Sequence, residues 1–186
     1  MSLITEILEF NRNFVENKHY EEFDTTRFPD KRIAVLSCMD TRLTELLPAA
    51  MNFKNGDIKI IKNAGAMITH PYGSVMRSML VAIYELGVQE IMVIGHHDCG
   101  MKNMDAFTLI EKMEKRGITQ DKINTVLIDG VNIRKWLSGF DNPVVSVSET
   151  VDLIRNHPLV PADVKIYGFL IDPHTGKLDP IENEVE

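Results

Sequence analysis

A chain of 186 residues, 44% apolar and 25% charged, has the size and composition of one globular domain with a full hydrophobic core. Its formal net charge of −7 argues against nucleic-acid binding, which needs a basic surface, and against docking on anionic membranes. No apolar run approaches the roughly 20 residues that span a bilayer, and the N-terminus lacks the basic and apolar segments of a secretion signal. We therefore expect a cytoplasmic protein with no nucleic-acid or membrane partner.

The first predicted element is an amphipathic helix over residues 3–18. Apolar residues recur there at helical spacing, with polar residues between them: Leu3, Ile7, Phe10 and Phe14. The polar connector "YEEFDTTRFPDKR" follows, so this helix stands apart from the core in sequence. We treat residues 1–30 as a helix and connector that could pack on a neighbouring subunit. Residues 31–186 form the predicted α/β domain.

Four short apolar runs in that domain predict strands: "RIAVLSC", "DIKIIKNAG", "EIMVIGH" and "VKIYGFLID". Their residues do not alternate between apolar and polar, which is typical of parallel strands covered on both faces. The stretch "HTGKLDPIE" could form a hairpin with the fourth strand around Gly176.

Helices are predicted between and after these strands. "GSVMRSMLVAIYELG" has Ser74 as a candidate N-cap and ends at Gly87, "NMDAFTLIEKMEKRG" ends at a glycine, and "SVSETVDLIRNHP" starts at its serines and stops before Pro158. Pro48 limits "LTELLPAAM" to a short or kinked helix, and residues 117–145 indicate helical fragments and loop. The alternation predicts a single α/β domain with a mainly parallel β-sheet flanked by helices.

Two strand ends carry reactive side chains. The first strand ends in Cys38, Asp40 and Arg42, and the third in "GHHDCGM", which contains His96 and Cys99. Ligands of open α/β sheets bind at the carboxyl ends of strands, so the two cysteines and His96 converge if these strands are neighbours. Cysteine and histidine are zinc ligands, and three protein ligands leave the open position that marks a catalytic site.

The two cysteines have other interpretations. Both could be small buried hydrophobes. A cysteine phosphatase needs arginine six residues after its cysteine, but Thr44 and Asp105 stand there. His96 and His97 are not expected to bind the same ion, because adjacent residues point in different directions. We favour His96 as the ligand and expect His97 to be a rim or partly buried polar residue. Asp98 could support the metal site from outside the ligand set, but we favour its interpretation as a turn residue. The ten methionines are interpreted as core filler and not as metal ligands.

An acid and a base two residues apart usually form a weak, solvated pair on a surface. Here Asp40 and Arg42 follow a buried strand and a candidate metal ligand. The carboxylate of Asp40 could accept a proton from metal-bound water and orient the resulting hydroxide. The guanidinium of Arg42 could hold that carboxylate ionised and fixed through bidentate hydrogen bonds.

"CMDTR" followed by "HHDC" resembles the β-class carbonic anhydrases, and "IIKNAGAMIT" is similar to that family's loop after its second strand. The resemblance runs from about residue 30 to the last strand and is strongest to the small archaeal and bacterial branch. It implies one Zn2+ per chain on Cys38, His96 and Cys99, with a catalytic dyad of Asp40 and Arg42. In some members the aspartate becomes a fourth zinc ligand, a role open to Asp40. The resemblance also implies a homodimer, or an assembly of dimers, with the N-terminal helix across the partner.

The expected reaction is the reversible hydration of carbon dioxide to bicarbonate and a proton by zinc-bound hydroxide, with activity rising through about pH 7–8.5. Gly65 is a candidate wall of the CO2 pocket, or serves only the turn. His70 and His97 are possible proton carriers, whereas His157 and His174 are expected at the surface. Two alternatives stay open: hydrolysis of carbonyl sulfide or carbon disulfide at the same site, and a zinc-binding module without turnover.

Overall fold

The structure is a computed structural model that describes residues 1–128 and 130–181. The strands are β1 (Ile33–Cys38), β2 (Ile58–Asn63), β3 (Glu90–His96), β4 (Lys165–Ile171) and β5 (Leu178–Pro180). The α-helices are α1 (Leu3–Glu16), α2 (Leu46–Ala50), α3 (Ser74–Leu86), α4 (Ala106–Lys115), α5 (Gln120–Ile128), α6 (Ile133–Leu137) and α7 (Pro143–Arg155). Short 3-10 helices cover His19–Phe23, Thr41–Leu43 and Ala64–Ala66. Residue 129 and residues 182–186, the end of the predicted domain and hairpin, lie outside the described residues.

The five strands form one sheet in the order β2-β1-β3-β4-β5. β1 pairs in parallel with β2 and β3, β3 pairs in parallel with β4, and β5 is the antiparallel edge partner of β4. This confirms the predicted α/β fold with a mainly parallel sheet, including the final hairpin. Because β1 and β3 are neighbours, the two strand ends that carry reactive side chains lie side by side.

Helices cover both faces of the sheet. On one face, alternate residues of the central strands pack against the buried sides of α3 and α7: Ala34, Leu36, Ile91, Val93, Met76, Met79, Val147, Val151 and Ile154. On the other face, Val35, Ile94 and Ile171 pack against Leu43 and Leu47 of the segment after β1. The candidate ligands Cys38 and Cys99 belong to this second cluster, so packed apolar residues hold both side chains in place.

Two predicted helix starts are wrong. Ser74 is the first residue of α3, and Gly73 occupies the cap position without a side-chain bond. Helix α7 begins at Pro143, ahead of the predicted serines, because Asn142 caps it and proline fits the first turn. Gly87 ends α3 in a left-handed conformation, as predicted. The short helix around Pro48 and the helical fragments of residues 117–145 are also confirmed.

Helix α1 is capped at Ser2, and none of its residues is buried. Several large apolar side chains along it are exposed: Leu3, Ile4, Ile7, Leu8 and Phe10. Phe14 makes ring contacts with His19 and Phe23 of the next 3-10 helix. Within residues 1–128 and 130–181, no helix has both the length and the apolar character needed to cross a bilayer.

Candidate metal centre

The ends of β1 and β3 bring together the three predicted ligands. Cys38 is the last residue of β1, His96 is the last residue of β3, and Cys99 lies in the turn that follows. All three are buried, and their ligand atoms lie within 4.8 Å of one another. Both thiols are free, with 3.9 Å between the two sulfur atoms.

The free atoms of this cluster fit a tetrahedral metal ion. His96 Nδ1 is hydrogen-bonded to the His97 carbonyl oxygen at 2.8 Å, while buried Nε2 has no partner among the described residues. A carbonyl on one ring nitrogen is the usual support for an imidazole that binds metal through the other. Tetrahedral zinc with bonds of about 2.3 Å separates two sulfurs by about 3.8 Å, close to the distance between Cys38 and Cys99. Cys38, His96 and Cys99 could therefore hold one ion.

The surroundings of Cys38 favour its thiolate. A hydrogen bond from the Cys99 thiol is the main cause that lowers the pKa of Cys38; burial opposes it, while the nearby imidazole of His96 and the Gly65 N–H act in the same direction as Cys99. The Gly65 amide lies 3.4 Å from the sulfur. Gly65 has a φ of +84°, and a Cβ there would lie 3.2 Å from Met101 and Phe140. A larger residue would therefore strain the backbone and require the Met101 and Phe140 side chains to shift by a few tenths of an ångström.

Asp40 and Arg42 form a bidentate pair beside the cluster. Arg42 Nε donates to Asp40 Oδ1 at 3.0 Å and Nη2 donates to Oδ2 at 2.8 Å, while the Arg42 backbone N–H adds a bond to Oδ1 at 2.9 Å. The side-chain bonds to Arg42 hold the pKa of Asp40 well below its usual range, against the effect of burial. Asp40 Oδ2 lies 3.9 Å from His96 Nε2, so an ionised carboxylate faces the candidate metal position.

Arg42 has a second partner that the sequence analysis missed. Its Nη1 donates to Asp98 Oδ2 at 2.9 Å, and its Nη2 donates to the Asp98 carbonyl oxygen at 3.0 Å. Asp98 has a φ of +53°, which agrees with its interpretation as a turn residue, but it also joins the two motifs. The two residues are 56 apart in the chain, and no local pattern predicts their contact.

Lys62 was missed as well. Its ammonium group donates to the carbonyl oxygens of Cys38 and Leu43, each at 3.2 Å. The lysine is partly buried, and burial lowers its pKa although Cys38 and Asp40 act in the opposite direction. The sequence signal that could have identified Lys62 is the presence of a lysine within the apolar run of β2. Lys62 is therefore hydrogen-bonded to the residues on either side of the segment that carries Asp40 and Arg42.

A cavity of about 650 Å3 opens onto the cluster. Its wall includes three methionine side chains, Met39, Met101 and Met104. Met39 is exposed, so the interpretation of the methionines as core filler is wrong for this residue, whereas Met101 also packs against the second core cluster. The remaining lining residues are Cys38, Asp40, Thr41, Arg42, Ala64, Asp98, Cys99 and Gly100. The loop after β2 reaches this cavity through Ala64, the neighbour of Gly65.

The other histidines lie outside the ligand cluster. His70, His97 and His174 are exposed. His157, expected at the surface, is buried. It pairs with the Pro71 carbonyl oxygen at 3.0 Å and accepts the Leu159 N–H at 3.2 Å, because the chain after α7 folds beneath the loop that precedes α3.

Comparison with known proteins agrees with this geometry. A sequence model of the carbonic anhydrase family matches residues 33–178. The chain is 55% identical over 183 residues, 98% of both chains, to the candidate carbonic anhydrase YtiB of Bacillus subtilis (strain 168). The crystal structure of β-carbonic anhydrase isoform I from Trichomonas vaginalis matches with a TM-score of 0.87 at 35% identity, over the full length of both chains. The carbon disulfide hydrolase of Acidithiobacillus thiooxidans is 28% identical over 157 residues, 81% of this chain and 77% of that protein.

The chain belongs to the β-carbonic anhydrase family. Its enzyme class is accordingly that of the carbonic anhydrases, which are lyases. Enzymes of this family use zinc, and Cys38, His96 and Cys99 form the cluster that could hold the ion. The expectations of family, enzyme class and cofactor are confirmed.

Proposed function

We propose that this protein catalyses the reversible hydration of carbon dioxide to bicarbonate and a proton. The observation that carries the proposal is the position of Asp40. Its carboxylate is clamped by Arg42 and lies 3.9 Å from the unpartnered nitrogen of His96. In this proposal Cys38, His96 and Cys99 are the zinc ligands, and Asp40 and Arg42 are the catalytic pair.

Cys38, His96 and Cys99 would hold the zinc ion, which would lower the pKa of water at the site and so supply a nucleophile for CO2 near neutral pH. Asp40 orients the attacking water, because its ionised Oδ2 can only accept a hydrogen bond. Arg42 keeps Asp40 ionised by lowering its pKa. Should Asp40 leave Arg42, its carboxylate, 3.9 Å from His96 Nε2, would be a further group able to hold the ion, and the reacting water would then lose its acceptor.

Carbon dioxide carries no charge, so its pocket needs apolar walls. Met39, Met101 and Met104 supply such a wall beside Asp40. Gly65 remains a candidate part of the CO2 site through the loop that brings Ala64 to the cavity. Its own N–H is directed to the Cys38 sulfur, so we assign Gly65 to the support of the pocket and of the ligand.

The test is stopped-flow CO2 hydration by zinc-loaded protein at pH 8.4, with zinc content measured on the same samples. We expect fast turnover in the parent. Asp40→Asn should lose turnover while retaining one zinc per chain, and Cys99→Ala should lose both. Asp105→Asn is the matched control, since it is also an acid-to-amide change, and asparagine caps α4 as well as aspartate does.

Carbon disulfide hydrolysis is the second candidate, favoured by the relative of that activity at 28% identity. The same ligands and the same Asp40 would serve it. Release of hydrogen sulfide from carbon disulfide, measured on the same preparation, separates the two. A zinc-loaded parent that turns over neither substrate would contradict the proposal and favour a non-catalytic zinc module.

We also propose a homodimer, or an assembly of dimers, in which residues 1–30 pack on a second copy of the chain. Helix α1 supports this, because none of its residues is buried and its apolar side chains are exposed. Deletion of residues 2–17 should lower the mass measured by light scattering. A cytoplasmic location remains our expectation; two buried free thiols fit a reducing compartment, and cell fractionation tests it.

A further inference from the structure

The guanidinium of Arg42 is held from two sides by two different motifs. Its Nε and Nη2 donate to Asp40, in the segment after β1. Its Nη1 donates to the carboxylate of Asp98, in the turn after β3, and Nη2 also reaches the Asp98 carbonyl oxygen. The second contact therefore fixes the edge of the guanidinium that Asp40 leaves free.

The Arg42–Asp98 contact is poorly suited to a stabilising role. The Asp98 side chain is 78% exposed and that of Arg42 is 32% exposed. Ion pairs this open to water contribute little to folding, because solvent screens the charges and two long side chains must be ordered. A geometric role is the better explanation.

The position of Asp40 depends on the position of Arg42. Every hydrogen bond to the Asp40 carboxylate among the described residues comes from Arg42, through its backbone N–H, Nε and Nη2. Any rotation of the guanidinium therefore moves the carboxylate with it or breaks the pair.

The backbone around Asp98 is a firm anchor for such a contact. Asp98 sits in the left-handed region with a φ of +53°, which aspartate tolerates better than most residues. On one side the His97 N–H is bonded to the Ile171 carbonyl of β4 at 3.1 Å, and on the other the Cys99 carbonyl accepts the Lys102 N–H at 2.9 Å.

We propose that Asp98 is a positioning residue for the reaction: it holds the guanidinium of Arg42 so that Asp40 stays paired and directed at the reacting water. The kinetic consequence rests on the proposed function of this site, but the effect on Arg42 does not. Removal of Asp98 frees the Nη1 edge, so that the guanidinium rotates more widely and Asp40 spends less time in its productive position.

The experiment uses two substitutions that suit a positive φ. Asp98→Gly keeps the left-handed backbone and removes the side-chain acceptor, and Asp98→Asn keeps the backbone preference and one acceptor oxygen without the charge. Asn103→Gly is the matched control, since Asn103 also has a positive φ in the same connection but is bonded to Phe140 and not to Arg42. All are measured as full-length, zinc-loaded protein.

Three quantities are measured: zinc per chain, kcat/KM for CO2, and the 15N relaxation order parameter of the Arg42 Nε–H. For Asp98→Gly we expect unchanged zinc, a lower order parameter and a fall in kcat/KM of ~10-fold or more, the scale for residues that support a metal site from outside. Asp98→Asn should lie between this variant and the parent. Asn103→Gly should match the parent in all three.

The proposal is overturned if Asp98→Gly leaves the order parameter of Arg42 unchanged, or lowers it with no loss of kcat/KM. Loss of zinc in Asp98→Gly also overturns it, because Asp98 would then support the turn that carries Cys99. If the parent itself does not hydrate CO2, the proposed function fails, while the order parameter still decides whether Asp98 positions Arg42.

Discussion

Two regions of the molecule differ in how their side chains are buried and hydrogen-bonded. One is the edge of the sheet where β1 and β3 end, and the other is the helix α1. At the sheet edge, Cys38, His96 and Cys99 are buried, and the Asp40 carboxylate accepts three hydrogen bonds. Along α1 none of the residues is buried and apolar side chains face outward. The difference teaches that one chain suffices to bring the three candidate metal ligands together, whereas the apolar side chains of α1 are not buried by any other part of residues 1–128 and 130–181.

The largest effect should come from breaking the ligand cluster. His96→Ala removes the imidazole whose Nε2 is unpartnered and buried. We expect loss of zinc and a fall in CO2 hydration greater than the ~10–100-fold typical of residues outside the ligand set. Metal analysis by mass spectrometry, together with stopped-flow rates, checks both.

His157→Ala is the control for that substitution, since this second buried histidine pairs with Pro71 and lies outside the cluster. It should keep one zinc per chain even where its stability falls. A His96→Ala protein with full zinc content would contradict the assignment of the ligands.

Arg42→Met should have the next largest effect on activity. It tests whether the Asp40–Arg42 pair controls how stability and activity depend on pH. Arg42 lowers the pKa of Asp40, so the pair contributes stability above the unfolded-state pKa of about 3.9 and loses it as pH falls through the folded-state value. The difference in unfolding free energy between parent and variant should therefore be largest near neutral pH and shrink in acid. We also expect kcat/KM to fall by ~10–100-fold, with an acid limb displaced to higher pH.

Denaturant titrations at several pH values and pH–rate profiles measure these effects. Arg42→Lys is the comparison variant, because it keeps the charge and loses the bidentate contact. Parent-like profiles in Arg42→Met would show that Asp40 does not depend on its partner.

Much of the centre could be predicted from the sequence, because the spacing within each motif and the strand pattern are local features. Reactive residues at the ends of two buried strands predicted a shared ligand cluster on the condition that the strands are neighbours, and the sheet places β1 beside β3. The hydrogen bond from Arg42 to Asp98 could not be predicted from the sequence, because it depends on how the segments after β1 and β3 pack against each other. The early start of α7 was missed because its cap, Asn142, lies ahead of the serines.

Lys62→Met should have an intermediate effect on stability and a small one on the ligands. The substitution leaves the carbonyl oxygens of Cys38 and Leu43 without their donor. We expect a loss of about 1–3 kcal/mol in the free energy of unfolding, the usual range for buried groups left unsatisfied. Chemical denaturation of zinc-saturated protein measures it.

Lys62→Arg retains a donor and should recover most of that loss. Zinc content should remain at one per chain in both variants, since the lysine contacts carbonyl groups and not the sulfur atoms. Equal stability of parent and Lys62→Met would mean that water replaces the ammonium without penalty.

The smallest effect on the metal centre should come from a substitution in α1. Such a substitution tests whether the exposed apolar face of this helix lies in a subunit interface. Phe10 is 72% exposed, so Phe10→Asp costs little within one chain but places a charge in any apolar interface that α1 makes. We expect a lower particle mass by light scattering with zinc per chain unchanged. Asn11→Asp, which adds the same charge at the next position, is the control and should keep the parent's mass. If Phe10→Asp kept that mass as well, this face of α1 would lie outside the subunit interface, and the dimer would have to form through another surface.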